Sequence, residues 1–463
     1  MENINNFTDE QLKTYNLILE FLETPYKNFY LIEGYAGTGK TYLTTKLVHE
    51  LVKNKIRVAI TAPTHKAVKV LFNEAGRINN EYIIFSTIHS ILGLNEYIDG
   101  FGKQSFKPMP GKEPKIKDYN VLIIDETSML DDELFHHLLP YIDKGLKIIF
   151  VGDPCQIPPV NRMDCIPFTK QEQIKYDIEK NKLYNIVRQA KDNPIIQTTF
   201  DIRKDIGKID ILNIFDKNNI NLQTKQGVYL FRDNIIIDQN KIIQLIYDLF
   251  LSDEYKNNQD HIRVIAWRNE TVNIYNQIIR QMLYGDDVQK ITVDEHLILN
   301  SPIFDQENPD EILLNTNEEL TVLNFTIEYE YINYGKQRIY YYNTNVKSFD
   351  LFNRPIFNTI QILTSEGEIY YNEYLERLRK EAMNERQGSE KARMRWIEYF
   401  EFKKHFAQVN YNYSLTIHKS QGSTYDNVIV HAWDILANLN IEERNRILYT
   451  ACSRPRYNLY LVK

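Results

Sequence analysis

The sequence predicts an α/β protein built on parallel sheets, with a β-hairpin and a small antiparallel β module inserted into it. Three observations carry that prediction. Short apolar runs, each closing on a polar or glycine-containing loop, recur at 29–34, 57–63, 121–126, 147–153, 263–267 and 427–432. Amphipathic helical patterns such as 11–23 and 41–53 lie between them, and the alternation breaks in two places. Uninterrupted apolar runs of this length read as strands buried on both faces of a parallel sheet. The intervening patterns read as crossover helices. Ligands of such sheets bind beyond the carboxyl ends of the strands, which is where the polar motifs of this chain fall.

The first break, 92–117, is too short for a domain and carries an Asp99-Gly100 turn signal flanked by Tyr97, Phe101 and Phe106, so it reads as an inserted hairpin. The second runs from about 291 to 406. There Phe325, Ile327, Tyr329 and Tyr331 alternate with Thr326, Glu328 and Glu330, and a Gly335-Lys336 turn leads into a second strand. A mixed-charge stretch follows, read as two helices broken near Gly388. No internal repeat is visible.

Composition narrows the class. With 463 residues and 43% hydrophobic content the chain can form several compact domains. The net charge of −7 excludes attraction to a polyanion by a uniformly basic shell, so any nucleic acid must be met by a local groove. Cys155, Cys165 and Cys452 have neither a disulfide-framework count nor zinc spacing, which predicts a reducing compartment. The polar N-terminus and the lack of an apolar run near ~20 residues predict a cytoplasmic protein with no membrane partner.

The first motif is Gly34-Tyr35-Ala36-Gly37-Thr38-Gly39-Lys40-Thr41, between a predicted strand and a predicted helix. That context is the one a phosphate-binding loop needs: glycines let backbone N–H groups wrap a phosphate, Lys40 neutralises it, and Thr41 offers a hydroxyl to Mg²⁺. Asp125-Glu126 ends the 121–126 run at the same sheet edge. Asp125 can hold Mg²⁺ and Glu126 can polarise a water, although taken alone the pair fits a helix N-cap equally well. Gln156, after Gly152-Asp153, can sense a γ-phosphate. Gln11 can bond the adenine edge through its amide, or simply belong to a capped helix start.

Set in chain order, Gln11 and the segments 34–41, 61–68, 86–92, 121–130, 150–160, 183–189, 263–280, 414–424 and 448–456 resemble the superfamily 1B DNA helicases of the RecD/Dda branch, over nearly the whole chain. The resemblance implies two RecA-like P-loop domains, 1–91 with 118–190 and 191–290 with 407–463. It further implies a pin hairpin at 92–117 and an SH3-like module with a helical tower at 291–406. It implies ATP and Mg²⁺ as cofactors, with Gly34, Gly37, Thr38, Gly39, Lys40 and Thr41 around the phosphates. Arg188 and Arg454 match the family's two arginines that reach the γ-phosphate, though Arg188 alone would read as a surface ion pair. Gln421 and Gly422 match the segment coupling nucleotide to DNA.

Pro63, Thr64, His65, Thr87, His89, Thr416 and His418 match the single-strand track, where hydroxyls and imidazoles bond phosphates and rings stack on bases. Any one of these histidines read alone is a packing or capping residue. Phe101 or Phe106 is the candidate wedge; aromatic packing of a hairpin on its own domain is the rival reading.

The implied activity is ATP-dependent 5′-to-3′ translocation on single-stranded DNA with unwinding at duplex junctions, in replication or recombination. The implied enzyme is a monomer, in the host cytoplasm if phage-encoded, with a single-strand-binding protein or replisome component as candidate partner. The alternatives are a translocase that remodels protein–DNA complexes with little unwinding, a P-loop kinase, which leaves Arg454 and Gln156 unexplained, and an inactive DNA-binding module. Two positions depart from the family pattern. Asn317 stands where a glycine is usual and is expected to take the left-handed conformation, and Pro455, after Arg454, is expected to stiffen a loop.

Overall fold

Buried aliphatic strands pair edge to edge into two parallel sheets. The computed structural model describes residues 7–108, 111, 113–159, 162, 164–186, 193–209, 211–232, 236–286, 288–305, 312–332 and 337–463. In chain order the first strands are β1 (Phe29–Gly34), β2 (Val58–Ala62), β3 (Ile83–Thr87), β4 (Leu94–Ile98), β5 (Gln104–Pro108), β6 (Val121–Ile124), β7 (Lys147–Gly152) and β8 (Glu179–Leu183). All but β4 and β5 form a parallel sheet in the order β3-β2-β6-β7-β1-β8. The helix Asp9–Glu23 leads into β1, and the crossover helices include Lys40–Lys53 and His65–Glu74. β1, β2 and β6 are buried along their whole length, as the continuous apolar runs predict.

The edge strand β8 is polar and gave no periodic signal. Its register explains it: Lys182 Nζ lies 2.8 Å from the carboxylate of Glu33, which is buried on the neighbouring strand β1, and Lys180 reaches the same group at 3.5 Å. A buried carboxylate needs such partners, so neighbouring charge rather than apolar pattern holds this strand.

The second sheet joins β9 (Asn219–Ile220), β10 (Gly227–Phe231), β11 (Ile262–Ala266), β19 (Ser414–Thr416), β20 (Tyr425–His431) and β21 (Pro455–Val462) in the order β19-β11-β20-β21-β10-β9, parallel except at β9. Its core runs through Ile265, Val428, Val430, Leu448, Ala451 and Leu459. Pro455 opens β21 directly, so the expectation that it stiffens a loop after Arg454 is corrected: the chain passes from the helix Ile441–Cys452 into strand within three residues.

Between β11 and β19 the chain builds an antiparallel sheet from β12 (His296–Leu299), β15 (Glu319–Ile332), β16 (Gln337–Phe349), β17 (Pro355–Leu363) and β18 (Val409–Tyr411), in the order β17-β16-β15-β12-β18, with a small β13 (Ile303–Phe304) and β14 (Ile312–Leu314) pair. Asn317 has φ of +63°, the left-handed conformation its position required. The predicted Gly335-Lys336 turn lies outside the described residues. Helices Ser365–Asn384 and Glu390–His405 follow, and Gly388 sits between them.

Contacts group the chain into two units, Met1–Leu92 with Pro114–Leu283 and Tyr413–Lys463, and Gly93–Glu113 with Tyr284–Asn412. Both parallel sheets fall in the first. The hairpin β4–β5 falls in the second, with the antiparallel sheet and its helices.

Candidate nucleotide and nucleic-acid site

Residues 34–41 turn from β1 into the helix Lys40–Lys53 by a path that only glycines allow at two points. A Cβ on Gly34 would meet Thr38 Oγ1 at 2.7 Å, and one on Gly39, where φ is +78°, would meet Gln11 Nε2 at 2.4 Å. The loop is held from within: Thr38 Oγ1 donates to Tyr35 O, and Lys40 Nζ donates to the carbonyls of Gly34 (2.8 Å) and Tyr35 (3.0 Å). Gly37 has φ of +81°, and Thr41 lies partly buried in the first turn. Gln11 closes the loop from outside. Its Nε2 donates to Thr38 O at 3.1 Å while its Oε1 accepts from Thr8 N–H, a capping box that spends one end of the amide on the helix start.

β7 pairs with β1, and β6 pairs with β7 on its far side, all parallel, so the residues after both strands share the carboxyl edge of β1. Asp125 continues the ladder by donating its N–H to Thr61 O. Glu126 then adopts φ of +51°, an uncommon conformation for a residue with a long side chain and one that costs about 1–3 kcal/mol. Gln156 is buried, and its Oε1 has no hydrogen-bond partner among the described residues. A buried amide oxygen without a partner, glycine-lined backbone, one lysine and two carboxylates make a donor and acceptor set that fits a nucleoside triphosphate with a hard divalent cation. In such a set the Thr41 hydroxyl and the Asp125 carboxylate are the groups that could hold the cation.

The second half of the same unit meets this edge through the helix Ile441–Cys452 and the segment after β19. Tyr449 Oη donates to Asp153 Oδ2 at 2.5 Å and accepts from Ala36 N–H at 3.5 Å. Ile157 N–H donates to Thr450 Oγ1, Arg446 donates to Pro154 O, and Gln421 Nε2 donates to Ile157 O at 3.2 Å. Arg454 is buried at the end of this helix, with its guanidinium bonded to Thr450 O, Ser423 O and Ser453 Oγ rather than extended to the loop 34–41. Arg188 lies outside the described residues.

Three threonines repeat one geometry at strand ends. Thr64 after β2, Thr87 at the end of β3 and Thr416 at the end of β19 each accept a hydrogen bond from the N–H three residues on, capping the helix that follows. In two of them the next residues are Ile-His, so Thr87-Ile88-His89 in one sheet and Thr416-Ile417-His418 in the other present the same hydroxyl and imidazole. Burial lowers the pKa of His65 to about 4. It also lowers those of His89 and His418, against the upward pull of Asp131 and Glu133 on the first and Glu443 on the second. All three imidazoles are therefore neutral donors and acceptors at pH 7. Pro63 and His65 lie partly buried beside Thr64. Gly422, with φ of +71°, packs on this group: a Cβ there would lie 2.9 Å from the Ala67 methyl and 3.8 Å from Thr64 Oγ1.

The second unit carries the hairpin. Its turn differs from the Asp99-Gly100 reading, because the positive φ falls at Gly102 (+76°) and Asp99 Oδ1 accepts from the N–H groups of Phe101 and Lys103. Gly100 serves packing instead: its carbonyl accepts from Gly388 N–H, and a Cβ on it would come within 2.9 Å of the Gly388 backbone. Gly102 lies against the Trp396 ring, Arg393 Nε donates to Ile98 O, and Lys404 pairs with Glu96. Phe101 at the tip is 68% exposed although its edge touches Gly388, and Phe106 on β5 is 44% exposed.

Sequence reasoning gave no role to Arg203 or Tyr449, and it named Asp153 only as part of the segment before Gln156. Arg203, on the helix Pro194–Lys204, pairs with buried Asp153 and lies with its guanidinium 3.5 Å from the centroid of the Tyr35 ring. Flanked by Asp201, Lys204 and Asp205, it looks in sequence like part of a solvated helix face.

Comparison with known proteins converges. A family model described as an AAA domain matches residues 9–223, and one described as a UvrD-like helicase C-terminal domain matches 411–462. An uncharacterized protein of Acanthamoeba polyphaga mimivirus is 30% identical, covering 98% of this chain and 99% of its own. The ATP-dependent DNA helicase Dda of Enterobacteria phage T4 is 26% identical, covering 99% of each. The RecD subunit of the RecBCD enzyme of Buchnera aphidicola is 25% identical over 93% of this chain and 70% of its own.

Proposed function

We propose that this chain, which belongs to the superfamily 1B helicases of the RecD/Dda branch, couples ATP hydrolysis to 5′-to-3′ movement along single-stranded DNA and separates duplex DNA ahead of it. The observation that carries the reading is the position of two consecutive residues. Gln421 bonds to Ile157 O, beside Gln156 on the nucleotide side, while Gly422 packs on Ala67 and Thr64 on the DNA side. A displacement at one side is therefore felt at the other through a single peptide unit.

In this reading Lys40 and the amides of 34–41 bind the phosphates, and Glu126 orients the attacking water. Gln156 senses the γ-phosphate, and Arg188 and Arg454 stabilise its charge once Arg454 exchanges its carbonyl partners for phosphate oxygens. Thr41 and Asp125 would hold Mg²⁺, which would supply positive charge against the phosphates. Thr64, His65, Thr87, His89, Thr416 and His418 grip the DNA backbone, and cycles of closing and reopening make the grip alternate. Residues 1–91 with 118–190 and 191–290 with 407–463 serve as the two RecA-like motors. Residues 92–117 act as the pin with Phe101 or Phe106 as its wedge, and 291–406 act as the SH3-like module and tower that brace it. The enzyme acts as a monomer in replication or recombination.

The test is ATP-dependent strand separation on matched partial duplexes with a 5′ or a 3′ single-stranded tail, with Lys40→Ala as control. Unwinding from the 5′ tail alone is expected. Unwinding from the 3′ tail refutes the polarity, hydrolysis surviving in Lys40→Ala refutes the site, and DNA-stimulated hydrolysis without strand separation turns the reading to a translocase.

A further inference from the structure

Asp153 is completely buried, and its carboxylate stands two hydrogen bonds from the phosphate-binding loop: Oδ2 accepts from Tyr449 Oη, which in turn accepts from Ala36 N–H. A buried carboxylate is tolerated only with a countercharge, and this one has Arg203, which contacts Oδ1. The other contact of that oxygen is Cys155 N–H at 3.0 Å. Arg203 comes from the helix that follows the first sheet and reaches back with 13% of its side chain exposed. Its planar guanidinium lies on the face of Tyr35 at 3.5 Å from the ring centroid, and the rings of Tyr184 and Phe200 lie against Tyr35 with centroids at 6.0 and 6.4 Å. Tyr35 and Ala36 are the second and third residues of the loop whose amides wrap the phosphates, so both are held by one cluster.

The electrostatics of the cluster bear on any polyanion entering the loop. Burial alone would lower the pKa of Arg203, and its neighbours together, Asp153 foremost with Cys155 and Tyr449, more than offset it, so the guanidinium is charged in the folded protein. With that charge present the Asp153–Arg203 pair is neutral as seen from the loop. Without it, an uncompensated carboxylate would face an incoming triphosphate through poorly screening surroundings.

We propose that Arg203 is a positioning residue for nucleotide binding: it neutralises Asp153 behind the phosphate loop and clamps Tyr35, so that the loop accepts a triphosphate. The proposal rests on the ATPase reading of the same site. A lysine would restore the charge but not the planar contact with Tyr35, so arginine serves both parts of the role.

The experiment is steady-state ATP hydrolysis with saturating oligothymidylate for the wild-type chain, Arg203→Ala, and Arg203→Ala combined with Asp153→Asn, with thermal unfolding of each. Arg203→Ala is expected to raise KM for ATP on the order of tenfold, the scale of one lost charge-assisted hydrogen bond, with a smaller change in kcat. Adding Asp153→Asn is expected to bring KM most of the way back, because it removes the stranded charge, whereas a role in packing alone would make the double variant no better. An unchanged KM in Arg203→Ala, or no recovery in the double variant, overturns the proposal. Should Arg203→Ala fail to fold, Arg203→Gln enters the same comparison. A wild-type chain that hydrolyses no ATP overturns the underlying reading instead, and that is seen before any variant is compared.

Discussion

Gly422 and Ala67 approach so closely that a methyl group on the glycine would lie 2.9 Å from the methyl of the alanine. The glycine also has φ of +71°, so Gly422→Ala meets two separate obstacles: a left-handed backbone, costing about 1 kcal/mol or more, and a clash. It is expected to cut DNA-stimulated ATP hydrolysis on the order of tenfold. Ala67→Gly in the same chain removes the opposing methyl and should recover part of that loss. Recovery measured in the double variant separates steric contact from backbone strain; none at all would mean the contact is not what couples the two sides.

Glu126 is held at φ of +51° directly after Asp125, and the proposed function makes its carboxylate the group that orients the attacking water. Glu126→Gln keeps size and hydrogen bonding but not basicity. Turnover should fall on the order of 10²- to 10⁴-fold, with nucleotide affinity, read by fluorescent-ATP titration, little changed. A variant losing affinity and turnover equally would place Glu126 in binding instead.

Phe101 and Phe106 expose their rings on a hairpin whose turn is fixed by Asp99 and by Gly100 against Gly388. Replacing both with alanine should lower the number of base pairs separated per ATP hydrolysed by at least about tenfold, the scale of one lost base–aromatic stack. If that ratio is unchanged, neither ring is the wedge.

His65, a residue of the proposed DNA track, bears on acid stability. Its folded pKa, about 4, lies below the ordinary 6.5 because burial disfavours the imidazolium. The stability contributed by the neutral ring is therefore complete above pH 6.5 and is lost as pH falls from 6.5 through 4, an effect of up to about 3 kcal/mol. Denaturation midpoints measured across that window should fall in the wild-type chain and fall less in His65→Gln. Equal slopes would show that other groups set the acid limit.

The sequence was most legible where burial is two-sided. The runs that became β1, β2, β6, β7, β11 and β20 are mostly apolar, and the loop 34–41 announces itself by glycines that the geometry demands. β8 was not legible, because its lysines answer a carboxylate on another strand, and a contact across 147 residues leaves no local pattern. Asn317 was legible because the family pattern has a glycine at its position, whereas Gly100 was misread: its glycine is required by a chain segment almost three hundred residues away rather than by its own turn. Arg203 was hidden for the same reason. Its helix shows a charged face, and only the fold reveals that one of those charges points inward at Asp153.

The joint between Gly100 and Gly388 sets the compliance of the hairpin. With no side chain on either residue, two backbones meet directly through the hydrogen bond from Gly388 N–H to Gly100 O, while Trp396 backs Gly102 and Lys404 ties down Glu96. A ribbon of two strands anchored only at its base bends under load and returns the work as heat. Fastened near its tip as well, it behaves as a triangulated strut, and a force on the turn passes into the helices Ser365–Asn384 and Glu390–His405 as compression. In the proposed role of this hairpin as the pin of an ATP-driven helicase, that stiffness would set how much of each stroke reaches the base pair.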